Sequence, residues 1–172
     1  VSPDGRSTVY SAFDADSSHL WIADADGENP RRLVESEHNE QIYSPRFDPE
    51  GRRVAFSRWR NGGYRDIQII DIEDGSIREL TNDTHIDASP CFTPDGRWIV
   101  FSSDRTGIAN LYAYDLENDE LRQITNVLSG AYMPDISPDG RTIGFVGFSS
   151  RGFDLHVMPF EPDNFRDPQP ER

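Results

Sequence analysis

A chain of 172 residues with 31 acidic against 17 basic side chains, net charge −14, would repel a phosphate backbone and an anionic membrane surface, which excludes nucleic acid as a partner. No run approaches the roughly 20 apolar residues that span a bilayer, so direct membrane insertion is not expected. The single cysteine, Cys91, excludes an internal disulfide and a paired-thiol metal site.

The chain opens on Ser2-Pro3-Asp4-Gly5-Arg6, and this pentapeptide returns as Asp48-Pro49-Glu50-Gly51-Arg52, Thr93-Pro94-Asp95-Gly96-Arg97 and Ser137-Pro138-Asp139-Gly140-Arg141. Successive glycines stand 46, 45 and 44 residues apart, a period that suits a four-stranded β-propeller blade. Each pentapeptide is a turn by chemistry: Pro sets φ at the first corner, Asp tolerates turn geometry and Gly supplies φ > 0.

In the first repeat, Thr8-Val9-Tyr10 predicts a second blade strand, His19-Leu20-Trp21-Ile22 a third and Arg31-Arg32-Leu33-Val34 a fourth; a first strand is lacking. In the second, Ser44-Pro45-Arg46-Phe47, Val54-Ala55-Phe56, Ile67-Gln68-Ile69-Ile70 and Ile77-Arg78-Glu79-Leu80-Thr81 predict all four. The third is also complete, with Ser89-Pro90-Cys91-Phe92, Trp98-Ile99-Val100-Phe101, Asn110-Leu111-Tyr112-Ala113-Tyr114 and Leu121-Arg122-Gln123-Ile124-Thr125. The fourth has Met133-Pro134-Asp135-Ile136, Ile143-Gly144-Phe145-Val146 and Asp154-Leu155-His156-Val157-Met158, then no outer strand. The expectation is an all-β propeller fragment of four-stranded antiparallel blades, two complete and two incomplete. Its divisions are a partial blade over 1–34, blades over 35–81 and 82–125, a partial last blade over 126–160 and a Pro-rich exit linker over 161–172. A strand from elsewhere in the ring is expected to close the last blade.

These residues resemble the TolB-like (WD40-like) propeller repeat family, whose repeat runs from a Ser-Pro-Asp-Gly-Arg turn through Phe-Ser-Ser-Asp-Arg to an Arg-Gln-Leu-Thr close. Phe101-Ser102-Ser103-Asp104-Arg105, Leu111-Tyr112 and Arg122-Gln123-Ile124-Thr125 follow that form most closely. The resemblance implies a non-enzymatic protein-binding or scaffolding role in the periplasm or outside a bacterial cell, with envelope proteins or other domains of its own complex as partners. The same superfold also serves hydrolases, as in prolyl-oligopeptidase-like enzymes, where such a segment would gate a catalytic domain elsewhere in the chain.

The second and fourth repeats depart from the form, at residues 57–65 and 147–152. The first of these interleaves Arg58, Arg60 and Arg65 with Trp59 and Tyr64, a composition suited to protein contact because it combines large rings with planar donors. Loops joining second to third strands share a propeller face with loops leading into first strands, which adds His85 and Tyr132 at the channel mouth. Arg58, Trp59, Arg60, Tyr64, Arg65, His85 and Tyr132 are therefore the candidate partner-binding residues, against a plainer reading in which Trp59 packs on a neighbouring blade and the arginines pair with nearby acids. No cofactor, metal or catalytic residue is expected. His38 and His85 lack a ligand set at metal spacing. Asp24 and Asp26 read as turn residues, not calcium ligands. Gly147-Phe148-Ser149-Ser150-Arg151 misses the nucleophile elbow at its last position.

Overall fold

The computed structural model describes residues 1–170, and among these the chain forms four antiparallel sheets. The first holds β1 (Ser7–Asp14), β2 (Ser17–Asp24) and β3 (Arg31–Val34). The second holds β4 (Gln41–Phe47), β5 (Arg53–Trp59), β6 (Arg65–Asp71) and β7 (Ile77–Glu79), paired in chain order. The third repeats this with β8 (Asp87–Phe92), β9 (Trp98–Ser103), β10 (Asn110–Asp115) and β11 (Glu120–Gln123), and the fourth holds β12 (Ala131–Ile136), β13 (Thr142–Ser149) and β14 (Gly152–Pro159). The all-β propeller fragment expected from the repeats is thus the fold.

The pentapeptides are the turns that lead into β1, β5, β9 and β13, and their glycines take φ of 70–72° at all four places, a conformation that costs glycine nothing and any other residue strain. In three of the turns the aspartate, Asp4, Asp95 or Asp139, accepts a hydroxyl hydrogen bond from the Ser or Thr two residues earlier and a backbone N–H from the arginine two residues later. The second turn, which has Glu at that position, uses Asp48 instead: its Oδ1 accepts the N–H groups of Arg52 and Arg53, and its Oδ2 meets Arg53 Nε at 2.9 Å.

Burial follows the repeat. Leu20, Val34, Ile42, Val54, Phe56 and Ile70 fill the space between the first and second sheets. Ala55, Ile67, Ile69, Ile99, Phe101 and Tyr112 fill the next, and Val100, Leu111, Ala113, Ala131, Ile143 and Phe145 the third. Strand alternation sends one set of side chains to each neighbour, so each central sheet contributes to two cores at once. The innermost strands share a further device: Ser44, Ser89 and Met133, each just before a proline, have φ of 50–57° and sit at bulges in the pairing with β5, β9 and β13. The bulge lets a proline occupy a paired strand without removing a ladder hydrogen bond.

The outer strands close in a repeated way. Thr81 and Thr125 accept the backbone N–H of Ile67 and Leu111 on their hydroxyls, each at 2.9 Å. One residue earlier on the third strand, His19 Nδ1, Asp66 Oδ1 and Asn110 Oδ1 each accept a backbone N–H from the segment that follows the outer strand, donated by Ser36, Asp83 and Val127. His19 is thus a buried capping acceptor, and the same task is performed by three different residue types.

Phe160, the last residue of the expected fourth blade, and residues 161–169 of the segment expected as an exit linker lie along the outside of the third sheet. Phe160 and Phe165 meet edge to face at 5.1 Å, Phe165 does the same with Trp98 at 5.8 Å, and Arg166 exchanges two backbone hydrogen bonds with Gln123. This covers the free edge of β11. The last two positions of that expected linker lie outside the described residues.

On the face that carries the hairpin turns after the third strands, Arg97 grips the buried Asp115 with Nη2 at 2.6 Å and Nε at 3.3 Å, and Asn118 and two backbone N–H groups add to the carboxylate's hydrogen bonds. Arg97 foremost, then these donors, hold the Asp115 carboxyl well below the usual carboxylate range. A depressed folded-state pKa contributes stability that is present above the unfolded value of about 4 and is lost as pH falls below it. We expect Asp115→Asn to flatten the acid limb of the pH–stability curve, measured as urea midpoints between about pH 2 and pH 7; an acid limb as steep as in the parent protein would overturn this.

Candidate partner-binding face

The loops between second and third strands and the loops that lead into first strands interlock on one side of the sheets. Arg65 N donates to the His85 carbonyl at 3.0 Å, Ile86 N to Asp104 Oδ1 at 2.8 Å, Ala131 N to the Ala109 carbonyl at 2.9 Å and Asn61 Nδ2 to the His38 carbonyl at 3.2 Å. Each bond ties one loop type to the other, so both sets form a single surface on the side of the sheets expected to face the channel mouth.

Beneath this surface lies an ionic cluster. Arg105, itself buried, places Nη2 3.1 Å from both oxygens of the fully buried Asp87 and 3.3 Å from Asp83, with Nε on Ser103 Oγ at 3.0 Å and its guanidinium 4.9 Å from the Tyr112 ring centre. Burial pushes the Asp87 carboxyl up, in opposition to Arg105, and burial does the same for Asp66. The Phe-Ser-Ser-Asp-Arg segment is therefore a clamp between the two loop types: Asp104 holds Ile86 while Arg105 holds Asp83 and Asp87.

The seven residues singled out from the sequence separate into two groups. Arg58 pairs with the buried Glu40 at 2.5 Å, and Arg60 pairs with Glu79 at 2.5 Å and approaches Asp66 at 3.8 Å. Both belong to the scaffold as ion-paired side chains. Trp59, half-buried at the end of β5, stands opposite Gln41 and Arg65 in the sheet. Tyr64 is exposed on the hairpin loop. Arg65 lies over the Tyr43 ring at 4.2 Å, and its buried Nε has no hydrogen-bond partner among the described residues. His85 is buried, with Nδ1 3.9 Å from Asp104 Oδ1.

Arg65 and Tyr132 come together as walls of a cleft of about 860 Å³ between the third and fourth sheets, which Ile86, Asp104, Ile108, Met133, Val146 and Phe153 also line. Tyr132 packs edge-on to Phe153 at 6.4 Å, and Phe153 in turn lies 5.0 Å from Phe148. Gly130 makes the Tyr132 position possible: its φ is +146°, and a Cβ there would stand 2.5 Å from the ring. A mainly apolar concavity with one cation and one carboxylate on its wall is the kind of surface that takes a bulky side chain and fixes its orientation by a few polar contacts. Ile86, Met133, Phe148 and Phe153 are exposed around it.

Sequence reasoning did not single out Ile86, Ile108, Met133 or Phe153. For Ile86, Ile108 and Met133 the signal is an apolar residue at a loop or pre-proline position, and for Phe153 an exposed aromatic at the start of β14, which a strand-periodicity reading passes over. Cys91 lies buried on β8 with its thiol pushed up to about 12 by burial, so it takes no part in this surface.

A model of the TolB beta propeller domain matches residues 1–166. The Tol-Pal system protein TolB of Bordetella pertussis (strain Tohama I) is 31% identical over 137 aligned residues, covering 54% of this chain and 31% of that protein. A putative TolB from Agrobacterium tumefaciens superposes with a TM-score of 0.84 at 25% identity, over 93% of this chain and 60% of that one. A puromycin hydrolase superposes with a TM-score of 0.73 at 20% identity over 92% of this chain and 26% of its own, a likeness of fold. The chain thus spans about a third of the length of the curated relative it matches. The match over nearly its whole length, with the repeated turns, strands and inter-sheet cores, makes this chain a member of the TolB β-propeller domain family.

Proposed function

We propose that this chain is a non-enzymatic protein-binding segment of a TolB-like propeller that works in the periplasm or outside a bacterial cell, with the channel-mouth face as its contact surface. The observation that carries this reading is the apolar lining of the cleft, Ile86, Met133 and Phe153, exposed to solvent, with Ile86 on the loop that Arg105 ties down through Asp83 and Asp87. A preformed surface loses little conformational freedom on binding, and exposed aromatic and aliphatic side chains around a concavity supply the anchor pockets of protein interfaces. Tyr64, Arg65 and Tyr132 belong to this contact set. Trp59, Arg58, Arg60 and His85 support it by shaping the loops. The chain's net charge of −14 steers basic partner surfaces toward it. The likeness to hydrolase propellers lies at or below 20% identity and supports the fold only, so a gating role beside a catalytic domain is not favoured.

Site-specific photo-crosslinking tests this in the intact protein. A crosslinking amino acid at Tyr64 or Met133 is expected to give discrete protein adducts in bacterial envelopes, and one at Asp74 or Glu117, on the opposite face, is not. Adducts from both faces in equal yield, or from neither, would count against the mouth as the contact surface.

A further inference from the structure

We propose that Asn61 is a self-modifying site, converting to aspartate and isoaspartate through a succinimide and thereby releasing the hairpin loop at the channel mouth. The argument begins with backbone amides. Succinimide closure needs the nitrogen of the following residue to attack the side-chain carbonyl carbon, and a nitrogen whose N–H is held in a hydrogen bond is not free to turn toward it. The chain has eight asparagines. Asn29 precedes Pro30, which has no N–H. For Asn39, Asn82, Asn110, Asn118, Asn126 and Asn164 the next amide is already donated, in order to the Glu37 carbonyl, Asp66 Oδ1, Thr125 Oγ1, the Asp115 carbonyl, Asn110 Oδ1 and the Pro162 carbonyl.

Asn61 differs in both respects that matter. The next residue is Gly62, which has no side chain to hinder attack, and the Gly62 amide donates no hydrogen bond among the described residues. The five Asp-Gly pairs sharpen the contrast, because the chemistry that would isomerise them meets a glycine amide tied into its turn. Gly5, Gly27, Gly75, Gly96 and Gly140 donate to the carbonyls of Ser2, Asp24, Asp71, Thr93 and Ser137. Asn61 is exposed, as are Gly62 and Gly63, so water reaches the site.

In the reaction the Gly62 nitrogen forms a bond to Cγ of Asn61, the Cγ–Nδ2 bond breaks and ammonia leaves with the proton balance taken up by solvent. Water then opens the ring at one carbonyl or the other, giving isoaspartate or aspartate. The consequence follows from the side-chain bond that Asn61 makes. Its Nδ2 donates to the His38 carbonyl, joining the loop between β5 and β6 to the loop before β4. A carboxylate has no hydrogen to donate, so this tie is lost, and the new negative charge lies between Arg60 and Tyr64. The modification stands on this geometry alone; that it alters partner capture rests on the reading of the mouth as the contact face.

The test is to hold the intact protein in mildly alkaline buffer at physiological temperature and map peptides by mass spectrometry over time. Asn61 is expected to gain about 1 Da at least about ten times faster than Asn82 or Asn126 in the same digest, because Gly62 alone combines an unhindered with an unbonded amide. Asn61→Gln is expected to abolish the gain, and the Asp-Gly sites are expected to isomerise only when urea unfolds the chain. Conversion of Asn61 no faster than of Asn82 and Asn126 would overturn the proposal. If Asn61 converts and crosslinking from Tyr64 is unchanged, the modification stands and its link to the contact surface fails.

Discussion

Arg105→Ala is expected to destabilise the protein by about 3–5 kcal/mol, seen as a lowered urea midpoint with an unchanged slope. The reason is asymmetry. Asp87 is fully buried and already costly to ionise, and Arg105 is the cation that compensates it. Removing the guanidinium leaves a buried carboxylate and also frees Asp83, so the loop that leads into β8 keeps only the Ile86–Asp104 bond to the loop after β9. Replacing both partners, Arg105→Met with Asp87→Leu, removes the uncompensated charge and is expected to restore most of the loss, because an apolar pair of similar volume is often as stable as a buried ion pair. A double variant as unstable as the single one would show that the clamp acts through packing alone. Crosslinking from Met133 in the double variant then separates stability from shape: the loops fold, but without the guanidinium that orients Asp83.

Phe101→Ala is expected to cost about 3–5 kcal/mol, the range for a fully buried aromatic ring removed from a core. Phe101 packs between the second and third sheets with Ile67, Ile69 and Tyr112, whose ring lies 6.3 Å away in a stacked arrangement. The neighbouring sheets are each paired along β5–β6 and β9–β10 and cannot collapse far enough to fill the void, so the cavity term adds to the lost transfer energy. Thermal unfolding followed by circular dichroism measures this. A loss below about 1 kcal/mol would mean that the second and third sheets do not form one cooperative unit.

Much of this arrangement is legible along the chain because it is local. The four pentapeptides need glycine at φ near 70°, and the turn explains why a Pro, an acidic residue and a Gly stand in succession in each of them. Strand alternation separates Ala55, Ile67 and Ile69 from Val54, Phe56 and Ile70, so the assignment of each residue to one of two flanking cores can be read from period two. The close of the repeat is legible too, since Thr81 and Thr125 stand fourteen residues after Ile67 and Leu111, whose amides they accept.

The proposed contact surface is less legible, and the reason is that it depends on pairings between loops far apart in sequence. Arg58, Arg60 and Arg65 look equivalent in one basic loop, yet Glu40, Glu79 and the Tyr43 ring determine that two are held in ion pairs while the third lies over an aromatic ring at the cleft. Phe153 and Met133 lie near Tyr132 only because β12, β13 and β14 pair as one sheet. Gly62 is distinguished from five other glycines after Asn or Asp by a hydrogen bond it does not make among the described residues, a fact with no trace in composition or spacing. Sequence by itself determined the repeat, the turns and the strands, because each depends on residues within one blade. Only the tertiary structure decided which charges are neutralised, which side chains form the mouth cleft and which amide stays free, because those depend on what the next blade brings opposite.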